Sequence, residues 1–376
     1  MSPVRRQGIA PRSFLRTLNV LWGSVDLSNL DKMDFGENEA RDLNLGSGDL
    51  LVCEGGDVGR TAVWRGELDT CLYQNHIHRL RRRNIGVAPE FYAYWMQAAF
   101  KVFHSYKGKE TTTTIPNLSG GKLKSFLVPL PPTLAEQERI AGILNEQIEA
   151  VDKARVAAEA RLEAAKALPA AYLRAAFNSE EVQRWPRQRL SHVCEITAKQ
   201  VDPKTPEFAV LPHVNGENIE TGTCRITYLK TAGELGMISG KYLFEHGDVL
   251  YSKLRPYLRK VTVVDFKGVC SADMYPITVN KEMLTPRFLA WMLVSAEFTN
   301  YADAESRRAR MPKLNREQLL SWNIPLPPIP IQCDIVNKLC TELTRIESLV
   351  TIIKQELETI NALPAALLRR AFAGGL

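Results

Sequence analysis

No stretch of this chain approaches the ~20 consecutive apolar residues that a membrane-crossing helix needs. Its start, Met1-Ser2-Pro3-Val4-Arg5-Arg6, leads into no apolar segment of the kind a secretory leader carries, so a cytoplasmic protein is expected. There is no Cys-x-x-Cys pair, and the seven cysteines are odd in number, which points to reduced, mostly buried thiols rather than a disulfide framework or a zinc site. His76 and His78 have a metal-ligand spacing but no second ligand pair, so they read as two strand residues on one face. Gly55-Gly56-x-x-Gly59-Arg60 lacks the Lys-Ser/Thr ending and following helix of a nucleotide-binding loop, and its glycines suit a tight turn instead. Net charge is also modest: +6 and a pI of 8.9 only nudge toward a polyanionic partner.

What the chain does have is duplication. In 376 residues with 45% hydrophobic content it can bury real cores, in two or three domains. An apolar seam at Ile140, Leu144, Ile148, Val151, Ala158, Leu162 and Ala165 steps mostly by three and four, the sign of a coiled-coil helix, with Arg155 filling one place. A second seam at Ile335, Leu339, Leu343, Ile346, Val350, Ile353, Leu357 and Ile360 repeats it at an offset of 195, as Ile140 to Ile335 shows. Each helix follows a Pro-Leu-Pro-Pro run, at 129–132 and 325–328. The first is expected from about Leu134 to Phe177 and the second from about Ile331 to Phe372. Pro169 and Pro364 should end each seam, leaving a short amphipathic helix beyond.

The segments before the helices repeat as well. Gly48-Asp49-Leu50-Leu51 is answered by Gly247-Asp248-Val249-Leu250, Pro89 to Trp95 by Pro286 to Met292, and Ile115-Pro116-Asn117-Leu118 by Met311-Pro312-Lys313-Leu314. Both segments read as mixed α/β and rich in strands, with strands at Phe14 to Trp22, Leu50 to Cys53, Thr61 to Trp64 and Tyr73 to Leu80, and a helix opening at Pro89. The second opens with Trp185-Pro186-Arg187-Gln188-Arg189-Leu190, which has no counterpart in the first. The first is therefore expected to lack its opening strand or to build it from elsewhere, with the helix around Ala365 to Phe372 closing the gap.

This order, with Gly-Asp-(Leu/Val)-Leu, Ile-Pro-x-Leu and Pro-Leu-Pro-Pro followed by a glutamine and a coiled coil, resembles the specificity subunit of type I restriction–modification systems. The resemblance covers nearly the whole chain, and Pro129 to Ile140 carries it most closely. It implies an α+β protein with two mixed α/β target recognition domains, separated by two long antiparallel coiled-coil spacer helices in a pseudo-twofold internal repeat. The expected divisions are 1–132, 133–179, 180–328 and 329–376. Each recognition domain would read one half of a split target in double-stranded DNA. Two methyltransferase subunits would dock around the helices and restriction (translocase) subunits would join them. S-adenosylmethionine would sit in the methyltransferase partner, with no cofactor in this chain.

Base and phosphate contacts need cations, amides and small hydroxyls on loops. In the first domain the candidates are Arg60, Lys107, Lys109, Thr111, Thr112, Thr113 and Thr114. In the second they are Ser252, Lys253, Arg255, Tyr257 and Arg259, with Arg307, Arg308, Arg310 and Lys313 at the repeat position of the first domain's threonine loop. Arg79-Leu80-Arg81-Arg82-Arg83 is a weaker candidate, because it also reads as the end of a strand. Catalysis by this chain is not expected. An amino-methyltransferase needs an Asn/Asp-Pro-Pro-aromatic segment, whereas the only Pro-Pro pairs here follow leucines and lead into helices. No paired carboxylates suggest a nuclease metal site. The competing reading is a coiled-coil scaffold whose flanking domains bind protein.

Overall fold

The short apolar runs bounded by turns form strands in the computed structural model, which describes residues 11–83, 86–105, 117–306 and 312–375. The chain divides into two units, Met1–Arg161 with Ile353–Leu376, and Leu162–Ile352.

Among the described residues the first unit holds six strands: β1 (Arg12–Leu15), β2 (Asp31–Met33), β3 (Leu50–Cys53), β4 (Thr61–Val63), β5 (Leu72–Tyr73) and β6 (Ile77–Leu80). They form two sheets, ordered β2-β1-β5 and β4-β3-β6. All four residues of β3 are buried, because both faces of that strand are covered. Leu51 and Cys53 face a core with Trp64, Cys71 and Ile77, while Leu50 and Val52 face Met96 and Leu118. Two strand expectations need trimming. The strand at Phe14 stops at Leu15, since Asn19 accepts from the Arg16 amide and donates to the Asp26 and Asn29 carbonyls, folding 17–19 into a 3₁₀ turn. The run from Tyr73 to Leu80 breaks into β5 and β6 at a turn that Ile77 closes on Gln74.

The second unit has, among the described residues, eleven strands: β7 (Arg187–Arg189), β8 (Cys194–Ile196), β9 (Gln200–Val201), β10 (Pro212–Val214), β11 (Lys230–Thr231), β12 (Lys241–Phe244), β13 (Val249–Ser252), β14 (Val261–Val263), β15 (Gly268–Cys270), β16 (Met274–Val279) and β17 (Asn323–Pro325). Sheet β14-β13-β16-β8 matches β4-β3-β6 with one strand added, and β11-β10-β15-β12-β9 extends the pattern of β2-β1-β5. The helix Pro286–Val294 is buried on every residue from Phe288 on and packs against Tyr251, Ile277 and Val261.

Two helices of 44 residues, Leu134–Phe177 and Ile329–Phe372, follow the Pro-Leu-Pro-Pro runs. Pro169 and Pro364 lie inside them, which corrects the expected stop at each proline. A proline removes one hydrogen bond and strains the turn before it. Here the chain beyond is anchored by apolar burial, which holds the helix together. Leu173 and Phe177 enter the second unit's core, with Phe177 edge-on to Phe288 at 5.7 Å. Leu368, Ala371 and Phe372 enter a core of the first, with Phe372 at 5.3 Å from Phe91 and 5.2 Å from Trp95. The helix end at Phe372 therefore does for the first unit what Phe177 does for the second. Within the first unit, Val151 and Ala158 share a cluster with Leu357 and Ile360, and Ile140 and Leu144 share one with Leu368 and Ala371.

One buried side chain fixes the start of each long helix. Gln137 accepts from the Ala88 amide and donates to the carbonyls of Gly86 and Pro131. Gln332 accepts from Thr285 and donates to Met283 and Pro327 at 2.8 Å each. In both units the helix start, the proline run and the loop before the covering helix are locked by one amide group.

Candidate nucleic-acid interface

The β3–β4 and β13–β14 turns are the tips of the two matching sheets, and each is held the same way from below. Asp49 and Asp248 are buried and accept backbone amides, from Gly46 at 2.8 Å and Glu245 at 2.9 Å. Asp49 also takes both arms of Arg81, whereas Asp248 takes the Thr278 hydroxyl at 2.7 Å. A cation in each turn ties it to a 3₁₀ turn nearby: Arg60 donates to the Thr17 carbonyl at 2.8 Å, and Lys260 donates to that of Ile219. The segment before the last helix of each unit then pairs with the loop, through Leu118 to Glu54 at 2.8 Å and Leu314 to Lys253 at 3.0 Å.

The chemistry on this common frame differs. In the second unit, the loop after β13 turns through Pro256–Leu258, a 3₁₀ turn flanked by Arg255 at φ 50° and Arg259 at φ 46°. Left-handed backbone at a side-chain-bearing residue costs about 1 kcal/mol or more. Pro256 is buried beneath the turn, Tyr257 is 50% exposed, and Arg255 is exposed. The Arg255 amide donates to Pro312 at 2.9 Å, and Leu254 bridges Lys313, so exposed Lys313 lies next to the loop. The Arg259 carbonyl accepts from Gly222, and a Cβ on Gly222 would sit 3.4 Å from the Arg259 guanidinium, so the hairpin around Gly222 is the third wall.

Beneath them Lys253 is buried, donating to the Ala272 carbonyl, 3.6 Å from Asp273 and 5.4 Å from the Tyr275 ring. Burial lowers its pKa, and so does the approach of Lys313 and Arg316. Arg316 stands 5.9 Å from both the Tyr242 and Tyr275 rings. Two cations, Lys253 and Arg316, thus flank the Tyr275 ring with Lys313 near Lys253, an arrangement that favours an anion. Ser252 is buried and its hydroxyl contacts the Leu254 carbonyl at 3.5 Å, within the loop rather than outside it.

In the first unit the corresponding places hold Glu54, paired with His76 at 3.5 Å, and His78, whose Nε2 is 2.6 Å from the Leu118 carbonyl. His78 lies in β6 and His76 in the turn before it, so they do not share a strand face. Arg60 is turned inward to Thr17 and Asp57. Arg79 donates to the carbonyls of Asp42 and Asn44. Lys107, Lys109, Thr111, Thr112, Thr113 and Thr114 lie outside the described residues, as do Arg307, Arg308 and Arg310.

Sequence reasoning picked out Arg255, Tyr257, Arg259 and Lys313, which the fold brings together. It missed Arg316 and Tyr275, whose only signal is a cation and an aromatic distant in sequence. It also missed Arg225, which spans Glu220 at 3.0 Å and Glu347 of the second long helix at 2.8 Å. Among the described residues, no group of acidic, histidine and cysteine side chains could hold a metal ion, and no helix is long and apolar enough to cross a membrane.

Comparison with known proteins finds one family model, the type I restriction modification DNA specificity domain, matching residues 21–160 and again 184–362. The chain is 29% identical over 296 residues to the type I restriction enzyme EcoDI specificity subunit of Escherichia coli, covering 70% of this chain and 65% of that relative's length. It is similar in fold to the HsdS subunit from Thermoanaerobacter tengcongensis, with a TM-score of 0.66, 20% identity, and coverage of 98% of this chain and 91% of that one. A chain from work on complex assembly and conformational transition of the type I R-M system gives 0.67 at 19% identity, over 98% and 92%.

Proposed function

Since the chain belongs to the type I restriction modification DNA specificity domain family, we propose that it is the DNA-reading subunit of a restriction–modification complex. Each unit's sheet tip reads one half of a split, asymmetric target. The proposed recognition domains are 1–132 and 180–328, and the proposed spacer regions 133–179 and 329–376. The spacers are a pair of antiparallel coiled-coil helices related, like the domains, by a pseudo-twofold repeat. Their seam is buried or half-buried at every named position, and partners along it run in opposite directions, from Ile140 with Leu368 to Ala158 with Ile360. The 29 residues from Ile140 to Leu168 make roughly 43 Å at ~1.5 Å per residue, a little more than one DNA turn of ~34–36 Å.

The observation that carries this reading is the loop Ser252–Arg259. Two arginines held in strained backbone, an exposed tyrosine and the adjacent Lys313 are the residue types that grip phosphates and base edges. Strain of this kind persists where a site needs it. The alternative of a protein-binding scaffold has no comparable observation in its favour. Arg255, Tyr257, Arg259 and Lys313 touch DNA, while Ser252, Lys253 and Arg60 hold the loops in shape. Lys107, Lys109, Thr111 to Thr114, Arg307, Arg308 and Arg310 are the further DNA contacts of this reading.

The chain itself is non-catalytic. Methyl transfer and cleavage belong to two methyltransferase subunits and to restriction subunits bound to the spacers, with S-adenosylmethionine in the methyltransferase. Co-expression with a methyltransferase subunit and mapping of methylated adenines tests it: a split motif with a fixed gap is expected, and an assembled complex that methylates nothing would overturn the reading. In DNA binding by that complex, Lys313→Ala should reduce the slope of log affinity against log salt by about one, for one lost phosphate. An unchanged slope would remove Lys313 from the interface.

A further inference from the structure

In the second unit β8 lies on the outer edge of β16, with Ile196 opposite Ile277, Glu195 opposite Thr278 and Cys194 opposite Val279. The Asn280 amide extends the pairing to the Val193 carbonyl at 2.8 Å. The turn before β8 drops Leu190 and Val193 into a core with Val249, Ile277, Val279, Leu284 and Leu289.

The register of β6 on β3 places Leu80 where Ile277 stands, and so puts Arg81, Arg82 and Arg83 in the positions of Thr278, Val279 and Asn280. Leu50, Val87 and Tyr92 take the places of Val249, Leu284 and Leu289. Among the described residues no strand lies on that edge. Instead Leu50, Leu80, Arg82, Val87, Pro89 and Tyr92 line a cavity of about 200 Å³. Among the described residues the same frame is filled in one unit and open in the other.

We propose that this groove in the first unit is a strand-accepting site for a peptide segment of the chemistry of Leu190–Ile196. Such a segment carries a leucine and a valine three residues apart, then a three-residue strand with an acidic side chain in its middle. The leucine and valine fill the cavity, and the strand adds to the open edge through backbone hydrogen bonds. The acidic residue falls opposite Arg81. Asp49 already balances Arg81, but Arg82 and Arg83 are exposed beside it, so the edge carries positive charge at the positions that are Val279 and Asn280 in the second unit. A basic or wholly apolar segment would fit the edge less well.

The test needs no DNA, so its outcome is separate from that of the DNA-reading assignment. A labelled synthetic peptide of residues 187–197 is titrated into the full chain beside a peptide carrying Leu190→Asp and Val193→Asp. Saturable one-to-one binding is expected, weakened about tenfold or more by the aspartates, since two apolar anchors are lost. Val87→Trp, which fills the cavity from a half-buried position, should abolish binding. Equal binding of the two peptides would overturn the proposal, as would binding indifferent to Val87→Trp or no binding at all. If the peptide bound only after removal of residues 1–10, the groove's occupant would be this chain's own start, and the proposed occupant would be wrong.

Discussion

The two sheet tips share a skeleton and differ in what they expose. Glu54 with His76 occupies the first and Lys253 with Arg316 the second, yet both loops accept the same amide from the segment before the last helix, Leu118 or Leu314. The held parts are buried; of the differing parts His76 and Arg316 face water, Glu54 is half-buried and Lys253 is buried. A shared frame with unlike surfaces supports two half-sites of different sequence, since base reading depends on the side chains presented and the frame only aims them. Below the tips the difference is reversed. The second unit fills the outer edge of its sheet, and among the described residues the first does not.

The largest effect should come from the glutamines that lock each long helix. Gln332→Ala removes three hydrogen bonds from a fully buried site and leaves their partners unpaired, at a cost of about 3–5 kcal/mol. Gln137→Ala should cost nearly as much. A cheap substitution at one and a costly one at the other, measured by denaturant unfolding, would break the equivalence of the two junctions. Next is the helix seam. Ile346 is buried, so Ile346→Ala should cost about 2–4 kcal/mol, while half-buried Leu343 should lose less on the same substitution. Equal costs would mean the helix faces its partners differently.

Gly59 and Arg259 hold the same left-handed place just before β4 and β14. A Cβ on Gly59 would lie 2.4 Å from the Phe100 ring, so Gly59→Ala should destabilise by about 2 kcal/mol. Arg259→Gly should instead stabilise by up to about 1 kcal/mol while weakening DNA binding. Stabilisation without loss of affinity would make Arg259 a structural residue.

A further effect depends on pH and arises in the second unit. His213 is buried in β10, with neither ring nitrogen bonded among the described residues, where the first unit has Phe14. Burial, then nearby Lys241, pushes its pKa down to about 4. The unfolded chain takes up this proton near pH 6.5 and the folded one resists until about 4. Stability is therefore full above pH 6.5 and falls between those values, by at most ~1.4 kcal/mol per pH unit. His213→Leu should flatten that part of the melting profile, and an unchanged slope would place the titration elsewhere.

Much of this was legible from spacing alone. Period-3.6 seams, the offset of 195, the Pro-Leu-Pro-Pro runs and the buried run at Leu50 all specify local structure, because helix and strand periodicity are properties of neighbouring residues. Pro169 and Pro364 were misread for the same reason. Locally a proline ends a helix, and only the cores waiting for Phe177 and Phe372 keep it going. The break between Tyr73 and Ile77 is likewise invisible in a run of strand-forming residues.

The sequence by itself determined that there are two copies of one plan and where their helices lie. Tertiary structure decided which cations are free. Arg60 and Lys253 look like Arg255 and Lys313 in a string of letters, but a backbone carbonyl within reach turns the first two inward. It also decided that Arg316 meets Tyr275, and that an edge filled in one unit stands open in the other among the described residues. Those outcomes depend on contacts between residues far apart in the chain, and pairing at such distance is set by how the whole core packs.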